Sequence, residues 1–262
     1  NAQGLRFSGG AQLTNHPSGV ISIGTAAYEY SGAQTPRSYL VNRGTINANS
    51  SGVFSPTYLS IDFLNYGTLQ DNGYCYLSRG ANYGTFGFGN TLCEVSVFGD
   101  EVSGEYFSFE DGTTFVGANP ILRVGGYAQW NTTATHPGVV AVAAGSGGAS
   151  FADPEFRILK NYTQTGTTTV QKGRWTMANS NLVANLNIMN DGIFNGFHTF
   201  VISNAGTINL NNLSHNIRNL ANGGTILVKS NLTLAGGATY ATGKIIMTNG
   251  ATGSFSGGSV DG

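Results

Sequence analysis

Apolar residues in this chain recur at every second position over short stretches: Leu186 and Ile188, Ile208 and Leu210, Ile226 and Val228, Leu232 and Leu234, with mostly Asn or Thr among the intervening residues. A period of two places alternate side chains on opposite faces of a strand, whereas a helical stripe needs apolar residues three or four apart. The pattern predicts an all-β chain of short strands.

Many of these strands are introduced by one triplet, Asn-x-Gly. It occurs as Asn42-Arg43-Gly44-Thr45-Ile46, Asn65-Tyr66-Gly67-Thr68-Leu69, Asn82-Tyr83-Gly84-Thr85-Phe86, Asn190-Asp191-Gly192-Ile193-Phe194, Asn204-Ala205-Gly206-Thr207-Ile208 and Asn222-Gly223-Gly224-Thr225-Ile226. Asn and Gly tolerate the left-handed backbone of a tight turn, Thr suits an exposed strand position, and the Ile, Leu or Phe after it points inward. The motifs lie about 23 and 17 residues apart in the first group and about 14 and 18 in the second, the range of short solenoid coils. A hairpin also uses Asn-Gly, but it does not require one motif to recur in phase with the same inward residue. The expectation is a single-domain parallel β-helix (β-solenoid), with a β-sandwich as the competing architecture. At about 20 residues per coil and about 4.8 Å between coils, the body would be a rod of roughly 13 coils, about 60 Å long.

Regular coils are expected over residues 1–118 and 176–262. Between them, residues 119–175 hold Pro120, Pro137 and Pro154, both tryptophans and the small-residue run from Ala141 to Ser150, and are expected to be loop-rich or inserted.

Composition narrows the picture. Only 10% of residues are charged, against about 25% in an ordinary soluble domain, and Gly, Asn, Ser and Thr fill the polar positions. With 40% hydrophobic residues and a net charge of -1 the chain can build a core. No apolar run approaches the roughly 20 residues of a membrane span. A sequence that starts at Asn1 fits an exported product freed of its signal peptide. Cys75 and Cys93 are the only cysteines, and one coil of a solenoid would bring them one strand spacing apart; a disulfide and two buried free thiols are both open readings.

The Asn-x-Gly-Thr-Ile repeats at Asn42, Asn204 and Asn222, set in a Gly/Asn/Thr-rich chain, resemble the β-helical repeat regions of secreted bacterial surface proteins and adhesins, and are similar to fungal cell-wall adhesin β-helices. The resemblance implies a cell-surface or extracellular location and a role as stalk, sheath or ligand-holding face. It carries over no catalytic residue.

Motifs for chemistry are sparse. Acidic residues gather at Glu94, Asp100, Glu101, Glu105, Glu110 and Asp111; the cluster reads as a glycoside-cleaving pair or, through its last five members, as a calcium site, and otherwise as solvated edges. His16 and His136 each precede a proline, His198 and His215 lie in polar stretches, and no pair has metal-ligand spacing. No nucleophile elbow, phosphate loop or dinucleotide fingerprint is present, so no cofactor is expected. Twelve basic residues spread along a chain of pI near 6.5 supply no nucleic-acid patch. Tyrosines concentrated from Tyr28 to Tyr83 offer stacking surfaces for polysaccharide or cell-surface glycans.

Charge is unevenly placed. Residues 1–155 hold about 5 basic and 11 acidic side chains, or -6, and residues 156–262 about 7 and 2, or +5. Along a rod this is an axial dipole favouring head-to-tail contact between copies. Phe7-Ser8-Gly9-Gly10 near the start is echoed by Phe255-Ser256-Gly257-Gly258 near the end, as if both ends carried similar strands. The functional expectation is therefore an extracellular structural protein that is not an enzyme and polymerises with itself. An adhesin or glycan-binding module is the alternative, and a polysaccharide-cleaving enzyme a more distant one.

Overall fold

The computed structural model describes residues 4–29, 36–50, 56–89, 94–97, 106–117, 120–142, 154–170, 174–178, 184–189, 199–204, 207–211, 215–222, 225–228, 232–235, 244–247 and 250–256. It is all-β, without a helix among these residues, and its strands stack in parallel in sequence order as a β-solenoid. The chain divides into two compact units, residues 1–129 and 130–262.

In unit 1 the first coil is β1 (Leu5–Phe7), β2 (Gln12–Asn15) and β3 (Val20–Ile23); the second is β4 (Ala26–Glu29), β5 (Tyr39–Asn42) and β6 (Thr45–Ala48). The third fuses two of its three strands into β7 (Thr57–Asn65) before β8 (Thr68–Asp71), and the fourth repeats this with β9 (Tyr74–Asn82) and β10 (Thr85–Phe88). The fifth is β11 (Glu94–Val97), β12 (Phe107–Glu110) and β13 (Thr114–Val116), and β14 (Ile121–Val124) begins the next. Three parallel ladders result. One runs β1, β4, β7, β9, β11, β14; the second β2, β5, β7, β9, β12; the third β3, β6, β8, β10, β13.

Alternation decides which side chains enter the core. In the third ladder Ile46, Leu69 and Phe86 share one register column and are buried, while Thr45, Thr68, Thr85 and Thr114 share the neighbouring outward column. Phe86 is the hub of the interior there, with ring centroids 6.3, 5.7 and 5.9 Å from those of Phe107, Phe109 and Phe115. Along this ladder the coil offsets are 25, 23, 17 and 29 residues, set by Val20↔Thr45, Thr45↔Thr68, Thr68↔Thr85 and Thr85↔Thr114. Register is thus kept while the loops vary in length.

Unit 2 starts within β15 (Tyr127–Asn131) and continues through β16 (Thr135–His136), β17 (Val139–Val142), β18 (Glu155–Ile158), β19 (Tyr162–Val170), β20 (Arg174–Met177), β21 (Ala184–Met189), β22 (Thr199–Asn204), β23 (Thr207–Asn211), β24 (His215–Asn222), β25 (Thr225–Val228), β26 (Leu232–Ala235), β27 (Lys244–Met247) and β28 (Gly253–Ser256). Even-numbered strands from β18 to β28 form one parallel ladder and odd-numbered strands from β17 to β27 another. The alternating apolar pairs of the sequence fall into columns: Leu186, Ile208, Ile226 and Ile245 in one, Ile188, Leu210, Val228 and Met247 in the next but one.

The segment 119–175, expected to be loop-rich, carries strands β14 to β20, and its described strands join the parallel pairing found elsewhere; its small-residue run lies outside the described residues. Pro120 and Pro154 sit just before β14 and β18 and Pro137 lies between β16 and β17, outside the strands themselves.

Candidate functional site

The Asn-x-Gly motifs of unit 1 build one continuous structure. Asn15, Asn42, Asn65 and Asn82 end successive strands of the second ladder in register, and all four side chains are buried. Each amide hydrogen-bonds to the next. Asn15 Nδ2 donates to Asn42 Oδ1 at 2.8 Å, Asn42 Nδ2 to Asn65 Oδ1 at 2.7 Å and Asn65 Nδ2 to Asn82 Oδ1 at 2.6 Å. The same nitrogens donate to the carbonyls of Thr45, Thr68 and Thr85. In the fifth coil a hydroxyl replaces the amide: Asn82 Nδ2 donates to Thr113 Oγ1 at 3.0 Å, and Thr113 Oγ1 donates back to the Asn82 carbonyl at 2.9 Å. A buried amide offers both donors and acceptors, so a column of them satisfies itself only when consecutive coils are in register.

The glycines of the motif serve a purpose other than the expected one. Gly44, Gly67 and Gly84 are not in the left-handed region; a Cβ on each would lie 2.1 to 2.3 Å from the carbonyl oxygen of Gly19 or of the glycine one coil earlier. What excludes a side chain is the close stacking of corner on corner, where Thr45, Thr68 and Thr85 N–H groups donate to the Gly19, Gly44 and Gly67 carbonyls. Residues between Asn and Gly point outward and stack: Arg43 lies 5.0 Å from the ring centroid of Tyr66, whose ring stacks on Tyr83 at 4.8 Å and 7°. Burial first, then Glu110 and Tyr66, raises the Tyr83 pKa above the usual phenol value.

In unit 2, Asn204 and Asn222 occupy the same register column at the ends of β22 and β24. Asn190, Gly192, Gly206 and Gly224 lie outside the described residues. The strand in register with β23 is β21, which precedes Asn190.

Sequence reasoning missed Asn15, because His16-Pro17-Ser18 separates it from its glycine, Gly19, where the later motifs have one residue. The signal available was the alternation of β2, which puts Asn15 in the place of Asn42. Asn15 is also where the column begins. Its Nδ2 donates to Gly19 O, Asn42 Oδ1 and Thr45 O, and its Oδ1 receives no hydrogen bond from the described residues.

Around Asn15 the first coil is open. Among the described residues β1, β2 and β3 each pair with a strand on one side only. Leu5, Leu13 and Ile21 are half-buried, whereas their register partners Ala27, Leu40 and Ile46 are wholly buried. Phe7 is buried at the end of β1, and Gly9, at φ 61°, turns the chain after it. In unit 2, β27 pairs only with β25 and β28 only with β26 among the described strands, and Ile245 and Met247 on β27 are half-buried. Phe255 lies on β28 in register with Leu234; Gly257 is outside the described residues.

Of the calcium candidates, Asp100, Glu101 and Glu105 lie outside the described residues. Glu110 accepts a hydrogen bond from Ser108 Oγ at 2.5 Å beside an exposed Asp111, and no group of three metal-ligating side chains occurs among the described residues. One carboxylate that the sequence did not single out is held by a guanidinium: Asp62 on β7, nearly buried, is bonded to Arg79 Nε on β9 and lies 3.9 Å from Arg37. Cys75 is a buried free thiol whose register partner on β11 is Val95; Cys93 lies outside the described residues. Burial, with Asp71 adding to it, pushes that thiol's pKa well up. Tyr58 and Tyr76 stack with centroids 5.1 Å apart. These rings and those of the Tyr66–Tyr83 pair each turn one face to their partner in the next coil. No helix among the described residues is long and apolar enough to cross a membrane. Comparison of the chain with protein-family models, with curated proteins and with solved structures gives no match.

Proposed function

We propose that this chain is an extracellular structural protein, a β-solenoid subunit that assembles head to tail with copies of itself into a filament or surface fibre. The observation that carries the reading is the stack of parallel coils in sequence order, a body built from one repeated turn-and-strand unit with few charged side chains. A heterologous contact between copies that does not close propagates. The net charge of -6 over residues 1–155 against +5 over residues 156–262 favours contact between unlike parts of two copies. The low charge and amide-rich faces suit a scaffold, and the reading assigns no catalytic step and no cofactor.

A glycan-binding adhesin is the second reading, supported by exposed Tyr28, Tyr39 and Tyr58. It ranks lower because the stacked pairs already occupy ring faces that a sugar would use. Negative-stain electron microscopy of the concentrated protein tests the first reading. Filaments with an axial repeat of one molecule are expected; isolated particles at every concentration, together with binding on a glycan array, would transfer the assignment to the adhesin.

A further inference from the structure

The third and fourth coils carry two pairs of tyrosines whose rings lie face to face. Tyr66 and Tyr83 follow Asn65 and Asn82, which are in register, so both rings leave the same corner in consecutive coils. Their centroids are 4.8 Å apart at 7°, and the two residues are 43% and 37% exposed. The backbone around them is bonded coil to coil: Tyr83 N–H donates to the Asn65 carbonyl at 2.7 Å, Thr85 N–H to the Gly67 carbonyl at 2.8 Å, and Asn65 Nδ2 to Asn82 Oδ1 at 2.6 Å. Arg43, in the coil before, lies 5.0 Å from the Tyr66 ring centroid and holds the stack on that side. Tyr58 and Tyr76, in register near the start of β7 and β9, stack at 5.1 Å and 15°. Other exposed tyrosines have no tyrosine in register: Tyr28 is aligned with Arg6 and Ser60, and Tyr39 with Gln12 and Asp62.

We propose that Tyr66 and Tyr83 are the site of an oxidative cross-link, a dityrosine bond that joins the third coil to the fourth. Each ring gives up one electron and its phenolic proton. The two radicals then form a bond between a carbon ortho to one oxygen and a carbon ortho to the other, and the hydrogens on those carbons move to the oxygens, which restores both phenols. The oxidant is hydrogen peroxide used by a haem peroxidase: one peroxide accepts the two electrons and two protons and leaves as two waters. Holding the rings together converts an encounter between molecules into a step within one, which raises the effective concentration of one ring at the other by orders of magnitude. Their exposure lets the oxidant reach them, and rotation about Cα–Cβ at this exposed corner brings the ortho carbons together. In a solenoid each coil touches only its neighbours, so a bond between coils braces the interface at which the body would separate. The tyrosines are 17 residues apart, as Asn65 and Asn82 are, and the bond closes a loop of one coil, restricting the unfolded chain as a disulfide does. The place of this bond in a fibre rests on the self-assembly reading; its formation does not.

The test treats dilute, purified protein with hydrogen peroxide and a haem peroxidase and locates the new bonds by mass spectrometry of its peptides. Peptides holding Tyr66 and Tyr83 should appear joined, two hydrogens lighter than their sum, in the wild type and in Tyr39→Phe, and the joined species should be lost in Tyr83→Phe. Its yield should not change on further dilution, because both rings belong to one molecule. Bonds formed only through Tyr28 or Tyr39, a yield of the Tyr66–Tyr83 species that falls with dilution, or no such species at all would each overturn the proposal. The wild-type peptides decide even where Tyr83→Phe fails to fold. Electron microscopy keeps the two readings apart: protein that links without ever forming filaments overturns the fibre and leaves the cross-link standing, and filaments of protein that never links do the reverse.

Discussion

Between Asn15 and Thr113, unit 1 buries a column of amides whose hydrogen bonds run from coil to coil. Between Trp130 and Trp175, unit 2 buries a cluster of rings: Trp130 meets His136, Phe156 and Tyr162 edge to face with centroids 6.1, 5.9 and 5.3 Å away, and Tyr162 meets Trp175 at 5.8 Å. Around that cluster the polar side chains bond to one another and to one backbone carbonyl, and Trp175 Nε1 is buried with no acceptor among the described residues. Tyr162 Oη and Thr168 Oγ1 both donate to Gln164 Oε1, and Gln164 Nε2 reaches the Gly138 carbonyl at 2.9 Å. Rings contribute through area and tolerate small displacements, whereas an amide column contributes little net energy per bond but fails when one coil shifts. Unit 1 spends its interior on register, and this part of unit 2 on bulk.

The sharpest way to break the comparison is to empty the ring cluster. Trp130→Ala removes a wholly buried indole and should cost unit 2 about 4 kcal/mol, read as loss of hydrogen-exchange protection in β18 to β20 while β5 to β8 stay protected. Loss of protection in both sets at once would mean that the two interiors are not separable.

Acid separates the units next. Burial lowers the His136 pKa to about 4 from 6.5. The unfolded chain therefore takes up a proton between pH 6.5 and 4 that the folded chain refuses, so stability is full above 6.5 and falls on acidification to about 4. The loss should approach about 3 kcal/mol, and denaturation followed across this window should show it vanish in His136→Gln. Alkali is a poorer probe, because burial raises both Tyr162 in unit 2 and Cys75 in unit 1.

The amide column should respond less in energy and more in order. Asn65→Ala leaves Asn82 Oδ1 without its donor, while Asn42 Nδ2 keeps the Thr68 carbonyl. The expected cost is about 2 kcal/mol in equilibrium unfolding of unit 1, with faster exchange in β7 and β9 on both sides of the gap. A neutral effect would show that the column follows the coils and does not set them.

Much of this was legible in the sequence. The period-two pattern identified strands, and the recurrence of Asn42, Asn65 and Asn82 in phase gave parallel coils in the right register. What escaped depends on closeness that no spacing records. Gly67 looks like a turn glycine in one dimension, yet its constraint is a carbonyl one coil away. Asp62 and Arg79 are 17 residues apart and look like two isolated charges until β7 pairs with β9. The three prolines of residues 119–175 argued for loops, although Pro120 and Pro154 sit immediately before strands and Pro137 lies in the two-residue link between β16 and β17.

Coil offsets in unit 1 range from 17 to 29 residues, yet the four asparagines stay aligned. Each coil is therefore an interchangeable module with one socket and one plug, and the loop between them is free in length. Gain or loss of whole coils by in-frame duplication or deletion from one asparagine to the next would leave every amide partnered. The length of such a body is then a quantity that heredity can adjust in steps of one coil, without redesigning any interior contact.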